Sequence, residues 1–355
     1  MIKDLRALYE TKEFPQAEKV ARDMVHLFPK FIFGWQVLCS SLMNMGKIAE
    51  ALEAQKKLVS LTPDDNKAQN DLGMLLLKSQ KYSEAERCFK RSIKIDPKYF
   101  GAHYNLANTL LELGKIECAI KSYRRSIKLQ PSFAAAYNNL GNSLRMLSRL
   151  KEAEKALRTA IAKNPSSADA YNNLGIVLLE ANDIAEAKLS FQQALNLKPK
   201  FLEAHNNLGN IYKYLREYDK ALACFQKSIK YSSNNFSALY NQGFILCNKG
   251  NIIKGLDSYK KAIQIDANFE KAHVEIIQNL SLMCSWESLH KSYIDTNYLF
   301  NNLNSGDPYK LVKLDDDPDR FCARSQSVFR EEYSRVSQVV LPTQHQKIRI
   351  GYVSA

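Results

Sequence analysis

Apolar and polar positions along most of the chain follow a helical period, and the helical stretches themselves recur. Prolines stand at Pro29, Pro63, Pro97, Pro131, Pro165 and Pro199, each 34 residues after the last. Alanines keep the same step at Ala17, Ala51, Ala85, Ala119, Ala153, Ala187 and Ala221, and glycines follow it less strictly at Gly73, Gly141, Gly175, Gly209 and Gly243. A fixed period of this length predicts helix pairs stacked into a solenoid. Counting each period from residues 32, 66, 100 and so on, positions 4, 7, 11 and 24 are large and apolar, and positions 8 and 20 are small. Small residues let two helices approach; large ones fill the space between pairs. Proline ends the second helix, because it has no N–H and constrains the residue before it. One pair alone leaves an apolar face uncovered, so stacking is obligatory. The frame begins part-way at Met1 and fades after Asn268. Ser233 and Ala267 stand where proline is expected and Gly255 where alanine is, which predicts looser packing there. A last first helix is predicted from Glu270 to Leu282.

These positions resemble the tetratricopeptide-repeat (TPR) pattern. One period shows Trp35, Leu38, Ala51 and Pro63, and another Tyr171, Leu174, Gly175, Ala187, Phe191, Ala194 and Pro199. The resemblance implies an all-α fold, a right-handed TPR superhelix of about eight repeats over residues 1–282.

The composition changes this picture little. Hydrophobic residues make up 45% and charged residues 25% of 355, ordinary for a folded chain. No apolar run approaches the ~20 residues that span a bilayer, and the N-terminus lacks the apolar centre of a secretory signal, so the expectation is a cytoplasmic protein without a membrane partner. The seven cysteines are scattered, none in a CxxC pair, which reads as small core residues and no metal site. His103, His205 and His273 occupy position 4, where Trp35, Tyr137 and Tyr171 stand elsewhere. That is an aromatic packing slot, and the histidines are read as packing groups rather than bases. The net charge is +13. Much of it recurs at one place in the period, as in Lys90-Arg91, Arg124-Arg125 and Lys260-Lys261. The plain reading is a solvated outer face. Nucleic acid remains a weak alternative, supported by no zinc-finger, RRM or KH pattern.

One polar position carries the candidate chemistry. Position 6 reads Val37, Asp71, Asn105, Asn139, Asn173, Asn207, Asn241 and Glu275. An amide offers donors and an acceptor together, so it can bond a peptide backbone whatever the side chains. First helices ~8–10 Å apart and a strand rising ~3.3 Å per residue give one amide for roughly every third residue. Five amides would hold about twelve to fifteen residues of an extended polypeptide. Asn138, Asn172 and Asn206 at position 5, with Asn108, Asn142 and Asn210 at position 9, widen the stripe. The opposing reading is that these amides bond within the scaffold. A grip on C-terminal carboxylates through lysine at position 5 is excluded, since Gln36, Asn70, Tyr104, Asn138, Asn172, Asn206 and Tyr240 stand there.

From Cys284 the period is lost. A helix is predicted over Trp286–Leu303, a turn at Asn304–Pro308, a helix from Asp317, with Asp as cap and Pro318 in the first turn, to about Val336, and a strand over Lys347–Ser354. With the Asn-rich row, Cys284-Ser285-Trp286, Arg320-Phe321-Cys322-Ala323-Arg324 and the Arg-Ile-Gly-Tyr-Val-Ser strand, the chain resembles the protein O-GlcNAc transferases of glycosyltransferase family 41, especially SPINDLY-like members. The resemblance implies a TPR arm (1–282), a helical linker (283–346) and the first strand (347–355) of a two-Rossmann-domain (GT-B) catalytic region. It implies UDP-GlcNAc as donor and Ser or Thr hydroxyls as acceptors, with the catalytic and nucleotide-binding residues beyond Ala355 and no cofactor held by this chain. Asn105, Asn139, Asn173, Asn207 and Asn241 match the ladder that in the family holds substrate polypeptide. Val37, Asp71 and Glu275 depart from it. TPR arms of this family can also form homodimers through their outer faces. Against this stands a stand-alone TPR adaptor joining folded proteins.

Overall fold

A computed structural model describes residues 2–282. The described residues form seventeen helices: α1 (Ile2–Glu10), α2 (Phe14–Leu27), α3 (Ile32–Asn44), α4 (Ile48–Leu61), α5 (Asn66–Lys78), α6 (Tyr82–Ile95), α7 (Phe100–Glu112), α8 (Ile116–Leu129), α9 (Ala134–Met146), α10 (Leu150–Lys163), α11 (Ala168–Glu180), α12 (Ile184–Leu197), α13 (Leu202–Tyr214), α14 (Tyr218–Tyr231), α15 (Phe236–Asn248), α16 (Ile252–Ile265) and α17 (Glu270–Leu282). Odd-numbered helices are the first of each pair and even-numbered the second. The described residues form an all-α TPR solenoid, as the period predicts. The linker helices, the strand and the boundaries at 283 and 347 lie outside the described residues.

Two compact units divide the chain after Ser232. The first holds α1–α14 and the second α15–α17. In the first unit, first helices of neighbouring pairs touch, as in α5–α7, α9–α11 and α11–α13, while second helices of neighbouring pairs do not come as close. First helices therefore line its inner side and second helices its outer side.

The small positions show why the pairs are tight. All seven alanines at position 20 of the first unit's helix pairs, from Ala17 to Ala221, are fully buried. Position 8 opposes position 24: a Cβ on Gly73 would stand 2.7 Å from Phe89, on Gly175 2.7 Å from Phe191, and on Gly209 2.8 Å from Phe225. Those phenylalanines are fully buried. Phe89, Phe191 and Phe225 at 24 thus face a bare backbone at 8, whereas Tyr123 accommodates the methyl of the fully buried Ala107.

Between first and second helices, every turn passes through one left-handed residue: Lys12, Gly46, Gln80, Gly114, Ser148, Asn182, Arg216 or Gly250. Gly46 N–H donates to Met43 O at 3.1 Å and Lys47 N–H to Leu42 O at 2.9 Å. This is the Schellman closure of a helix C-terminus.

Helices α14 and α16 end without proline at Ser233 and Ala267, with Ser232 N–H on Ser228 O and Asp266 N–H on Ala262 O, both at 3.0 Å. Two expectations need correction. Packing at Gly255 is not loose: a Cβ there would overlap Cys247 Sγ, so the thiol fills the methyl's place, and Tyr259 beside it is fully buried. The cysteines do not all lie in the core. Cys39 and Cys224 are buried, Cys88 and Cys247 half-buried, but Cys118 is exposed. Burial pushes the Cys39 thiol up to about 12 and that of Cys224 to about 11, which keeps both protonated and inert.

Candidate polypeptide-binding face

The first helices end in the turns above and bury positions 7, 8 and 11, which leaves positions 5, 6, 9 and 12 facing the inner side. Asp71, Asn105, Asn139, Asn173 and Asn207 sit at position 6 of α5, α7, α9, α11 and α13. Asp71 is exposed and the four asparagines are half-buried. Asn241 holds the same position on α15 in the second unit, where it is only 5% exposed.

The amides are bonded to one another across pairs. Asn105 Nδ2 donates to Asn70 Oδ1 at 2.9 Å, Asn173 Nδ2 to Asn138 Oδ1 at 3.0 Å, and Asn207 Nδ2 to Asn172 Oδ1 at 3.2 Å. Position 6 thus donates to position 5 of the preceding pair. Where Tyr104 holds position 5, Asn139 Nδ2 reaches Tyr104 Oη and Asn108 Oδ1, both at 3.1 Å. Asn138 Nδ2 in turn donates to Asn139 Oδ1 at 3.2 Å, so both ends of Asn139 are engaged.

These bonds orient what is left. The oxygens of Asn105, Asn173 and Asn207 accept from no group among the described residues and are not sealed from solvent. Asn206 Oδ1, by contrast, is buried without a hydrogen-bond partner. At the end of the row, Asn70 Nδ2 donates to Asp71 Oδ1 at 3.4 Å. Asp71 is open to water yet walled by protein on its other sides, and desolvation holds its carboxyl above the usual range despite that hydrogen bond. The inner face therefore offers acceptors more than donors, with one carboxylate at its N-terminal end.

Two features beside the row were not legible in the period. At the ends of α9, α11 and α13, Met146 (49% exposed), Leu179 (37%) and Tyr214 (73%) form an apolar edge. Arg145 bonds Asn142 Oδ1 at 3.2 Å and Glu180 at 2.7 Å, tying α9 to α11. The apolar edge breaks the polar expectation for helix termini, and that break was the available signal.

The position-4 histidines are structural, as expected, and for a specific reason. His103 Nε2 lies 3.1 Å from Pro97 O, His205 Nε2 2.9 Å from Pro199 O and His273 Nε2 2.9 Å from Ala267 O. Trp35 Nε1 donates to Pro29 O in the same way at 2.9 Å. At these four repeats the ring donates to the turn carbonyl six residues earlier. Desolvation, reinforced by nearby Arg125 and Lys227 respectively, holds His103 and His205 below the ordinary imidazole range. Among the described residues no three His, Cys, Asp or Glu groups gather as metal ligands, and no helix is long and apolar enough to cross a membrane.

Comparison with known proteins adds the family. Tetratricopeptide-repeat models match residues 35–65, 73–114, 107–147, 132–200 and 202–235, together more than half of the chain. No curated protein matches. Among solved structures, a chain of the APC/C hetero-tetramer Cut9–Hcn1 is 22% identical with a TM-score of 0.59, covering 75% of this chain and 52% of that one. The present chain thus spans about half the length of that relative. Pseudomonas aeruginosa pilF is 20% identical with a TM-score of 0.54, over 59% of this chain and 96% of that one. The type IV pilus biogenesis factor PilW is 21% identical with a TM-score of 0.54, over 60% and 98%. At such identities the likeness concerns the fold alone. With the 34-residue period, the paired helices and the repeat matches in agreement, the chain belongs to the tetratricopeptide-repeat family.

Proposed function

We propose that this chain is a cytoplasmic protein-binding scaffold that holds extended polypeptide segments along its first-helix face. In the first unit the segment's backbone crosses the row Asp71, Asn105, Asn139, Asn173 and Asn207, and Asn241 has the same role in the second. The observation that carries this reading is the set of oriented, unpartnered oxygens on Asn105, Asn173 and Asn207, spaced one per repeat. Carboxamide oxygens accept from backbone N–H groups without reading side chains, which suits weakly selective capture. The apolar edge at Met146, Leu179 and Tyr214 supplies burial beside the polar row.

A narrower reading rests on the resemblance of residues 284–355 to family 41 glycosyltransferases. In it, the scaffold is the substrate-docking region of an O-GlcNAc transferase that moves the sugar from UDP-GlcNAc to Ser or Thr. The residues described here supply docking and no step of the transfer.

Fluorescence anisotropy with a panel of unrelated unstructured peptides tests the binding. Micromolar affinities of similar size across the panel are expected, weakened when Asn105, Asn173 and Asn207 are changed together to Ala while the helical signal persists. Unchanged affinity would remove the row from the binding site. A second reading, a stand-alone adaptor for folded partners, is favoured by Asn139, whose amide is engaged on both sides within the scaffold. It expects one tight, specific partner and indifference to the asparagine changes.

A further inference from the structure

The positive charge of the first unit lies on its outer, second-helix side, and it is not evenly neutralised. Arg87, Lys121 and Lys155 hold one position on α6, α8 and α10, and Arg91 and Arg125 lie one turn further along α6 and α8. Side chains four apart share a helix face, so these five lie on the outward faces of three successive second helices, with one acid, Glu117, a turn before Lys121. All five are exposed, and none has an ion-pair partner among the described residues.

At three steps of the same side an ion pair of fixed spacing joins successive second helices, whereas at the α4–α6 step Lys56 pairs with Glu53 at 2.8 Å rather than with Glu84. A base on one second helix bonds an acid 28 residues on, at the start of the next second helix: Arg22 to Glu50, Arg124 to Glu152 at 2.9 Å, and Arg158 to Glu186 at 2.6 Å. Between α6 and α8 the step fails. The base is Lys90, and the residue at the acid's position is the exposed Cys118. Lys90 turns back to Glu86 at 2.6 Å, which already receives Lys115 at 2.9 Å. Glu18 likewise takes both Arg22 and Lys47 although Glu50 is present at that step, so the gap is marked by Cys118 alone, which sits inside the unpaired basic field.

We infer that the outer face of α6 and α8 docks an acidic polypeptide segment, whose carboxylates occupy the place that Glu50, Glu152 and Glu186 fill at three other steps. Charge complementarity selects an anion, and the face's own chemistry selects the carboxylate: its Arg and Lys groups already pair with carboxylates at the helix-to-helix spacing. None of the exposed large apolar side chains falls on α6, α8 or α10. The face therefore has no ring to stack on a base and no apolar anchor for a lipid surface. Exposed ion pairs are individually weak and screened by salt, so capture rests on several at once and fades as salt rises. This site is on the opposite side from the amide row and stands or falls without it.

The test uses the whole chain and a fluorescein-labelled peptide of alternating glutamate and serine, read by anisotropy at low salt. Binding is expected. Cys118→Glu supplies the missing acid from within, and a loss of affinity of about tenfold is expected, with the thermal transition kept or raised. Cys118→Gln, of similar size and no charge, is expected to bind as the parent does. The joint change Arg91→Glu and Arg125→Glu is expected to abolish binding. Equal affinity in Cys118→Glu and its parent would overturn the proposal. So would duplex DNA, or phosphatidylserine vesicles, binding this face more tightly than the peptide and displacing it.

Discussion

Asn173 gives an amide hydrogen to Asn138 at 3.0 Å, across the boundary between two helix pairs. The spacing is one residue more than the period, so Asn105, Asn139, Asn173 and Asn207 each tie their own pair to the one before. The nitrogen serves scaffold cohesion and leaves the oxygen for the peptide capture proposed above.

This division gives Asn173→Ala two separable effects. Losing a neutral, half-buried hydrogen bond is expected to cost about 1 kcal/mol of stability, measured by urea denaturation. Asn173→Asp keeps an acceptor but sets it against Asn138 Oδ1, and is expected to destabilise at least as much. A variant as stable as the parent would show that the Asn138 bond contributes nothing net.

At Gly73, Gly175 and Gly209, which face Phe89, Phe191 and Phe225, position 8 is expected to be intolerant of a methyl group. Gly175→Ala would place Cβ 2.7 Å from Phe191, an overpacking expected to cost about 1–3 kcal/mol. Adding Phe191→Ala to Gly175→Ala is expected to cost less than the two single changes summed, because the truncated side chain yields the space. Strict additivity in a double-mutant cycle would contradict the contact.

The left-handed turn residues are a reserve of stability. Arg216 holds φ 58° without the freedom of glycine, and Arg216→Gly is expected to gain about 0.5–1 kcal/mol, net of the added chain entropy. Asn182→Gly is expected to gain less, since asparagine tolerates this conformation. A shift in the urea midpoint without a change in slope is the readout.

Mild acid is expected to loosen the fold through its histidines. His103 and His205 have folded pKa values below the ordinary one, so the unfolded chain binds more protons. Their contribution is complete above about pH 6.5 and is lost as the pH falls from there toward the folded values. His103→Trp with His205→Trp keeps the donor to the turn carbonyl, as Trp35 does, and is expected to flatten the dependence of the urea midpoint between about pH 7 and 5. Glu18, held low by Lys47 and Arg22, and Glu86, held low by Lys90 and Lys115, contribute in a separate window: their stability is lost only below the ordinary carboxylate range.

The period made the helix pairs legible from the sequence, because the recurring small positions, such as Ala51 and Ala187, and ring positions such as Phe191 obey sterics that repeat identically. The amide row was legible as a row. Its bonding was not, because a donor at Asn207 and an acceptor at Asn172 meet only once neighbouring pairs are stacked. At Ser233 and Ala267 the helices end without proline, through backbone bonds that any residue can make. Gly255 misled because the space its missing methyl leaves is filled by Cys247, a residue eight positions earlier on the partner helix. Cys118 was read as core, although its position on α8 is that of an outward-facing acid in Glu50 and Glu152.

The donor-to-acceptor link between successive asparagines is the same at α11 and α13, and this makes those modules interchangeable. Excising residues 168–201 would bring Asn207 opposite Asn138, the acceptor that Asn173 now uses, and would rejoin the ladder without a new bond type. Duplication would extend it just as smoothly. Unequal recombination between such segments can therefore lengthen or shorten the array while each intermediate still folds, so its reach is open to adjustment by natural selection.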